Sequence, residues 1–208
     1  MKTILCYGDS NTYGYRPQDK KRYEYQERWT GILNEKLKSK NYRIVEEGLV
    51  GRTTVFEDSV RYGRKGSDFL LPALESHSPI DTVVLMLGTN DCKSIYKASA
   101  TVIGKGIEIL LRQMRSFDKN IKILLVSPIY LGEEVWKAEY DPEFDKESVA
   151  TSKKLKSVYR KLAEAYGCAF LAASDVAVPS EVDQEHLNRE GHAALADAIY
   201  EKIVSAIA

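Results

Sequence analysis

Lys2-Thr3-Ile4-Leu5-Cys6-Tyr7-Gly8-Asp9-Ser10-Asn11-Thr12-Tyr13-Gly14 is the stretch on which the reading of this chain turns. Its first half is apolar enough for a buried strand, and at Gly8 it changes abruptly to small polar residues. Such a change marks a turn. It also marks a place where a serine hydroxyl can be presented at the end of a strand. The rest of the sequence decides between an ordinary turn and a reactive Ser10.

Four further runs share the character of the first: Tyr42–Glu47, Thr82–Leu87, Ile121–Ser127 and Cys168–Leu171, with the first taken as Lys2–Tyr7. They are short and mostly lack alternation, which predicts strands covered on both faces, as in a parallel sheet. Amphipathic helical stripes lie between them: Trp29, Ile32, Leu33 and Leu37; Ile103, Ile107, Leu110, Leu111 and Met114; Leu155, Val158, Tyr159, Leu162 and Tyr166; and Leu195, Ile199, Ile203 and Ile207. Gly167 follows the third stripe as a C-terminal cap. Alternating strands and helices predict an α/β fold, a three-layer α/β/α sandwich with a five-stranded parallel sheet. Residues 1–208 read as a single domain, with no repeat or linker. Two connections are long: Tyr13–Arg28 and Pro128–Lys146, the second holding Trp136, Tyr140 and Phe144. Long connections often wall a site or form an interface.

Composition narrows the function. The 208 residues are 44% hydrophobic and 29% charged, with 30 basic and 30 acidic residues. The charge balance gives no reason to expect nucleic acid or an anionic membrane as partner. No apolar run reaches the ~18–20 residues of a membrane helix. The apolar stretch before Gly8 is too short for a signal-peptide core. Three widely spaced cysteines, Cys6, Cys92 and Cys168, argue against a disulfide framework and fit the cytoplasm. Cys6 and Cys168 read as small apolar residues buried in strands.

In an open parallel sheet, ligands bind beyond the carboxyl ends of the strands. Gly8–Thr12, Glu47–Thr54, Leu87–Asp91 and Val182–His186 all follow predicted strands, so they should meet at one edge. Acyl transfer by serine needs a nucleophile, a base, a group that orients the base and donors for an oxyanion. Ser10 is the candidate nucleophile. His186 is the candidate base, with Asp183 three residues before it as the orienting carboxylate. The candidate oxyanion donors are the main-chain N–H groups of Ser10 and Gly51 and the side-chain amide of Asn90. Of the other histidines, His77 is expected in a solvated loop, and His192 is expected to face outward or to cap the last helix. Asp9 and Asp91 read as loop-holding acceptors, and Arg52 as a brace pairing with a carboxylate. Trp29 reads as core. Tyr13, Tyr15, Cys92 and Trp136 are candidate substrate-lining residues.

The residues GDSNT near the N-terminus, a glycine after the second strand, GTND after the third and Asp-x-x-His near the C-terminus resemble the SGNH (GDSL-like) hydrolases over nearly the whole chain. That resemblance assigns the family's four residues to Ser10, Gly51, Asn90 and His186. LCYGDSNTYGY, RWTGIL, EEGLVGRTT and MLGTND look most like its bacterial arylesterase/acyltransferase branch. It implies a flavodoxin-like sheet, hydrolysis of short-chain esters through an acyl-enzyme, no cofactor and no metal. Some relatives transfer the acyl group to alcohols and assemble as homo-oligomers. Position 11 departs from the family name, being Asn where the motif has Leu. The Gly-x-Ser-x-Gly elbow of α/β-hydrolases is absent.

The expectation is therefore a serine esterase acting on small aryl or alkyl acetates. A carbohydrate O-acetyl esterase of the same family is the near alternative. A non-enzymatic phosphate- or nucleotide-binding module is the distant one, since the loop has only Gly8 and Gly14 and such a module leaves Asp183 and His186 unexplained. A metal- or aspartate-dependent phosphatase lacks the usual Asp-x-Asp after the first strand and any cluster with metal-ligand spacing.

Overall fold

The computed structural model describes residues 1–207, apart from the side chain of Ile207. Five strands, β1 (Lys2–Gly8), β4 (Tyr42–Gly48), β5 (Thr82–Met86), β6 (Lys122–Ser127) and β7 (Ala169–Ala172), form one parallel sheet in the order β4-β1-β5-β6-β7. This is the flavodoxin-like order, and its switch point lies where β1 separates β4 from β5. A small antiparallel hairpin, β2 (Tyr15–Arg16) with β3 (Lys21–Arg22), sits inside the first long connection.

The absence of alternation has its cause in the two cores. Leu5, Tyr7, Val83, Leu85, Ile123 and Leu125 face one side, under α3 (Gly66–Ser76), α4 (Ala100–Phe117) and α5 (Lys146–Tyr166). Ile4, Cys6, Val84, Met86, Leu124 and Val126 face the other, under α2 (Trp29–Leu37) and α6 (Arg189–Lys202). Both sets are buried, so successive residues of one strand each need apolar character. Leu110, Leu111 and Met114 of α4 are fully buried; truncating one of these leucines to Ala costs ~2–5 kcal/mol.

The predicted elements are present with boundaries shifted by one or two residues, and three readings change. The helix α3 was absent from the sequence pattern because Pro72 interrupts its interior and short apolar windows containing proline read as breaks. The last stripe ends as an α-helix at Lys202 and continues through a π-helical turn, Ile203–Ile207; the side chain of Ile207 lies outside the described residues. Cys168 is only half-buried and precedes β7 rather than lying within it. Gly167 closes α5 as anticipated, at φ 61°. Among the described residues, no helix is long and apolar enough to cross a membrane.

Register sets the stage for the site. Gly8 stands level with Gly48 on one side and Met86 on the other, so the chain leaves β1, β4 and β5 from one edge. Gly8 is required there by close approach: a Cβ would fall 2.1 Å from Thr12 Oγ1 and 2.7 Å from the Met86 carbonyl oxygen.

Candidate active site

Ser10 begins α1 (Ser10–Tyr13), a single helical turn stopped by Gly14 in the left-handed conformation. Asp9 caps the turn, its Oδ1 accepting from the Asn11 N–H at 3.0 Å. The expected loop-holding role of Asp9 therefore stands. Its Oδ2 is buried without a hydrogen-bond partner, and burial pushes its carboxyl up to about 7. Trp29 is core, as expected, and its indole N–H donates to the Asn11 carbonyl at 3.1 Å.

The segment between β7 and α6 brings in His186. Asp183 Oδ1 accepts from the main-chain N–H groups of Glu185 (3.1 Å) and His186 (3.0 Å), with Gln184, between Asp183 and Glu185, at φ 59°. Asp183 Oδ2 then lies 2.6 Å from His186 Nδ1. A carboxylate accepts only, so Nδ1 carries the proton, and the neutral ring presents a free lone pair on Nε2. Nε2 lies 2.9 Å from Ser10 Oγ, across 176 positions of sequence. Ser10, Asp183 and His186 thus form a continuous hydrogen-bonded relay.

The electrostatics favour a charged ring. Burial disfavours the imidazolium, but Glu185, Asp183 and Asp9 outweigh it and carry His186 up to about 9. Burial also works against the Asp183 carboxylate; its hydrogen bonds and the charge of His186 hold it below its ordinary value nonetheless. Tyr15 packs on His186 with ring centroids 4.3 Å apart.

The oxyanion candidates sit on the neighbouring strand ends. Gly51 has φ +83°, a left-handed conformation that a side chain would strain. Among the described residues, the main-chain N–H groups of Ser10 and Gly51 find no acceptor in the protein. Asn90 donates one amide N–H to the Arg52 carbonyl at 3.1 Å, leaving its second N–H uncommitted. Asp91 ties the two loops, its carboxylate accepting from the Thr54 N–H at 3.0 Å and 3.1 Å and from the Thr54 hydroxyl. Arg52 braces them, as read from sequence. It lies over the Tyr7 ring at 4.2 Å, donates to the Gly8 carbonyl at 3.0 Å and to the Glu47 carbonyl, and approaches the Glu47 carboxylate at 3.9 Å.

Two histidine expectations need correction, and the four substrate-lining candidates have different surroundings. His192 neither faces outward nor caps α6; it is fully buried, accepts from the Trp29 N–H on Nδ1 at 3.3 Å and meets the edge of Tyr23. His77 is not free in solvent, because its Nε2 lies 2.9 Å from Glu47 Oε1. Cys92 turns its thiol into the core toward the Gly88 carbonyl at 3.4 Å. Trp136 donates to the Glu133 carbonyl, packs against the core and carries Lys146 over its ring. Tyr13 lies under the Arg22 guanidinium at 4.4 Å. Of the four substrate-lining candidates, Tyr15 alone is in ring contact with His186.

Two residues escaped the sequence reading. Asn11 Oδ1 accepts from the Leu187 N–H at 2.9 Å and its amide reaches the Glu185 carbonyl at 3.5 Å, so it clips the nucleophile turn to both flanks of His186. Glu185 is buried with Oε2 3.7 Å from His186 Nδ1. The signal for both was position: each lies beside a residue already singled out. The Pro128–Lys146 connection is tied down at both sides of the site, Gly132 N–H donating to the Gln184 carbonyl and Ser94 N–H to the Glu143 carbonyl, each at 2.8 Å.

The fold agrees with that of known proteins similar to the chain. The profile of the GDSL-like Lipase/Acylhydrolase family matches residues 6–194. A carbohydrate acetylesterase from Sinorhizobium meliloti is 34% identical, with 99% of each chain covered and a TM-score of 0.90. The native aryl esterase of M. smegmatis is 30% identical, again with 99% of each chain covered and a TM-score of 0.89. A carbohydrate acetylesterase family member from Sinorhizobium meliloti is 33% identical over 98% of this chain and 97% of its own, with a TM-score of 0.89. No curated protein matches the sequence. The chain belongs to the GDSL-like lipase/acylhydrolase family, and it is a carboxylic ester hydrolase of the SGNH type.

Proposed function

We propose that residues 1–208 act as one hydrolase domain that cleaves short-chain esters, aryl or alkyl acetates, through an acyl-enzyme on Ser10. Ser10 Oγ attacks the ester carbonyl while His186 Nε2 takes its proton, and Asp183 holds the imidazolium that forms. The oxyanion is received by the N–H groups of Ser10 and Gly51 and the free N–H of Asn90. His186 then protonates the leaving alcohol. Water, deprotonated by the same nitrogen, releases the acid; a second alcohol in its place gives acyl transfer. Oxyanion donors of this kind are worth ~3–4 kcal/mol of barrier each. One observation carries the reading: the 2.9 Å and 2.6 Å contacts that join Ser10 Oγ, His186 and Asp183 in order. The unpaired cysteines fit action in the cytoplasm.

The likeness to carbohydrate acetylesterases favours a second substrate reading, in which the acetyl group sits on a sugar hydroxyl. Both readings share one chemistry and one first test. A fluorophosphonate should give a single adduct on Ser10, located by intact mass and peptide mapping and lost in His186→Ala. Rates on phenyl acetate, phenyl butyrate and acetylated xylan then rank the substrates. An unlabelled folded protein without ester hydrolysis would overturn the proposal.

A further inference from the structure

The Nδ1 side of His186 holds two carboxylates where the reaction requires one. Asp183 Oδ2 is at 2.6 Å and Glu185 Oε2 at 3.7 Å. The side chain of Glu185 is only 8% exposed. Among the described residues, no donor hydrogen-bonds its carboxylate, whereas Asp183 accepts three such bonds. A buried carboxylate without a donor is costly unless a cation compensates it. The groups around it are few. Lys93, from the turn after β5, favours its charge but is paired with Glu143; Asp141 of the long connection and Asp183 oppose it. His186 is its nearest cationic partner.

We propose that Glu185 is a positioning residue for the ester hydrolysis, a second carboxylate that pairs electrostatically with the Nδ1 side of His186 beside Asp183 and takes over the Nδ1 proton when Asp183 is lost. The inference rests on the serine–histidine reading above. The main chain fixes it in place: Glu185 N–H is bound by Asp183 and its carbonyl by Asn11. The remaining groups facing His186 are Ser10 and Asp9 at the end of β1, Tyr15 of β2, and His192 of α6, which feels its charge. Glu185 heads the groups that raise His186 against burial, and burial raises Glu185 in turn. Deprotonated Glu185 therefore sustains the imidazolium, and its loss makes the base available at lower pH.

The test is a double-mutant cycle on p-nitrophenyl acetate, read as kcat/KM against pH. Glu185→Gln keeps the shape and should move the acid limb down by about one pH unit while costing less than ~10-fold at the plateau. Asp183→Ala should lose only ~100-fold because Glu185 remains, and the double variant ~10,000-fold, the loss expected when a triad histidine has no orienting carboxylate. Glu185→Asp, which keeps the charge, should retain the wild-type limb. Equal cost of Glu185→Gln in both backgrounds, with the limb unmoved, would overturn the role of Glu185. A missing fluorophosphonate adduct on wild-type Ser10 would instead remove the reading on which it rests, and the two failures are read independently.

Discussion

Acid should loosen this fold through His192, and the effect is separable from every other titration. Nδ1 accepts the Trp29 N–H at 3.3 Å, so the neutral ring carries its proton on Nε2, which has no partner. Protonation would set a second N–H against that of Trp29 inside the core. Burial, with the charges of His186 and Arg28, accordingly lowers His192 from 6.5 to about 3. The sign follows directly. Below 6.5 the unfolded chain binds a proton that the folded chain refuses, so this stability is complete above pH 6.5 and is lost as pH falls toward 3. At ~1.36 kcal/mol per pH unit, lowering pH from 7 to 4 removes about 3 kcal/mol, a large share of the ~5–15 kcal/mol typical of a folded domain. His192→Asn keeps a side-chain acceptor near Trp29 and removes the titration. It should cost about 1–3 kcal/mol at pH 7 through lost volume and a poorer bond. Urea midpoints followed by tryptophan fluorescence at pH 7, 5.5 and 4 give both curves, and shared titrations cancel in their difference. The wild-type advantage should shrink or reverse by pH 4. A difference constant across that range would refute the argument.

The proton bookkeeping at His186 runs the other way. Its raised value means that the neutral, proton-accepting ring gains population as pH rises, so kcat/KM on an aryl acetate should climb until about pH 9; a limb near 6.5 would contradict the surrounding charges. Asp9→Asn keeps an oxygen for the Asn11 cap and removes a buried carboxyl raised from 3.8 to about 7. Because a raised acid loses stability as pH climbs through its folded value, the variant should gain ~2–4 kcal/mol over wild type at pH 8 and little at pH 4, measured by denaturant midpoints. Asp91→Ala should cost ~2–4 kcal/mol and lower kcat with it, because it leaves the Thr54 N–H and hydroxyl unpaired and frees the Asn90 and Gly51 loops from each other; unchanged kcat in a destabilised variant would separate the two roles.

The sheet was legible because burial on both faces writes itself into short strands as continuous apolar character. Leu5 and Tyr7 serve one core, and Ile4 and Cys6 the other. The contact between Ser10 and His186 was legible through topology and through the family resemblance of the motifs, since no local pattern links residues 176 apart. The strand-end rule supplied that link. What escaped has equally physical causes. Pro72 hid α3. His192 was misplaced because its neighbours Arg189, Glu190 and Gly191 are not apolar, yet it stands three and seven positions before Leu195 and Ile199, on the buried stripe of α6. Periodicity reports which face a residue occupies and nothing of the partner it meets there. For that reason the partner of the Cys92 thiol, the Gly88 carbonyl, was not legible, nor was the place of Trp136 at the edge of the core under Lys146.

The three carboxylates around His186 explain why its surroundings look overcharged for a neutral base. Asp9, Asp183 and Glu185 together stabilise the imidazolium, the form present only once the Ser10 proton has moved. Stabilising that form lowers the barrier to attack. The same charges also stabilise the imidazolium before substrate arrives. With a value of about 9, about 1% of the free enzyme holds the neutral ring at pH 7. The two effects largely cancel at neutral pH, and the advantage of the cluster is realised above about pH 9, where most rings are neutral. Burial opposes ionisation of all three, but only in Asp183 do hydrogen bonds and the charge of His186 outweigh it, so Glu185 and Asp9 stay above their ordinary values. They fall silent first as pH drops, so on the acid side the base is held by Asp183 alone, through the 2.6 Å bond that the local turn enforces.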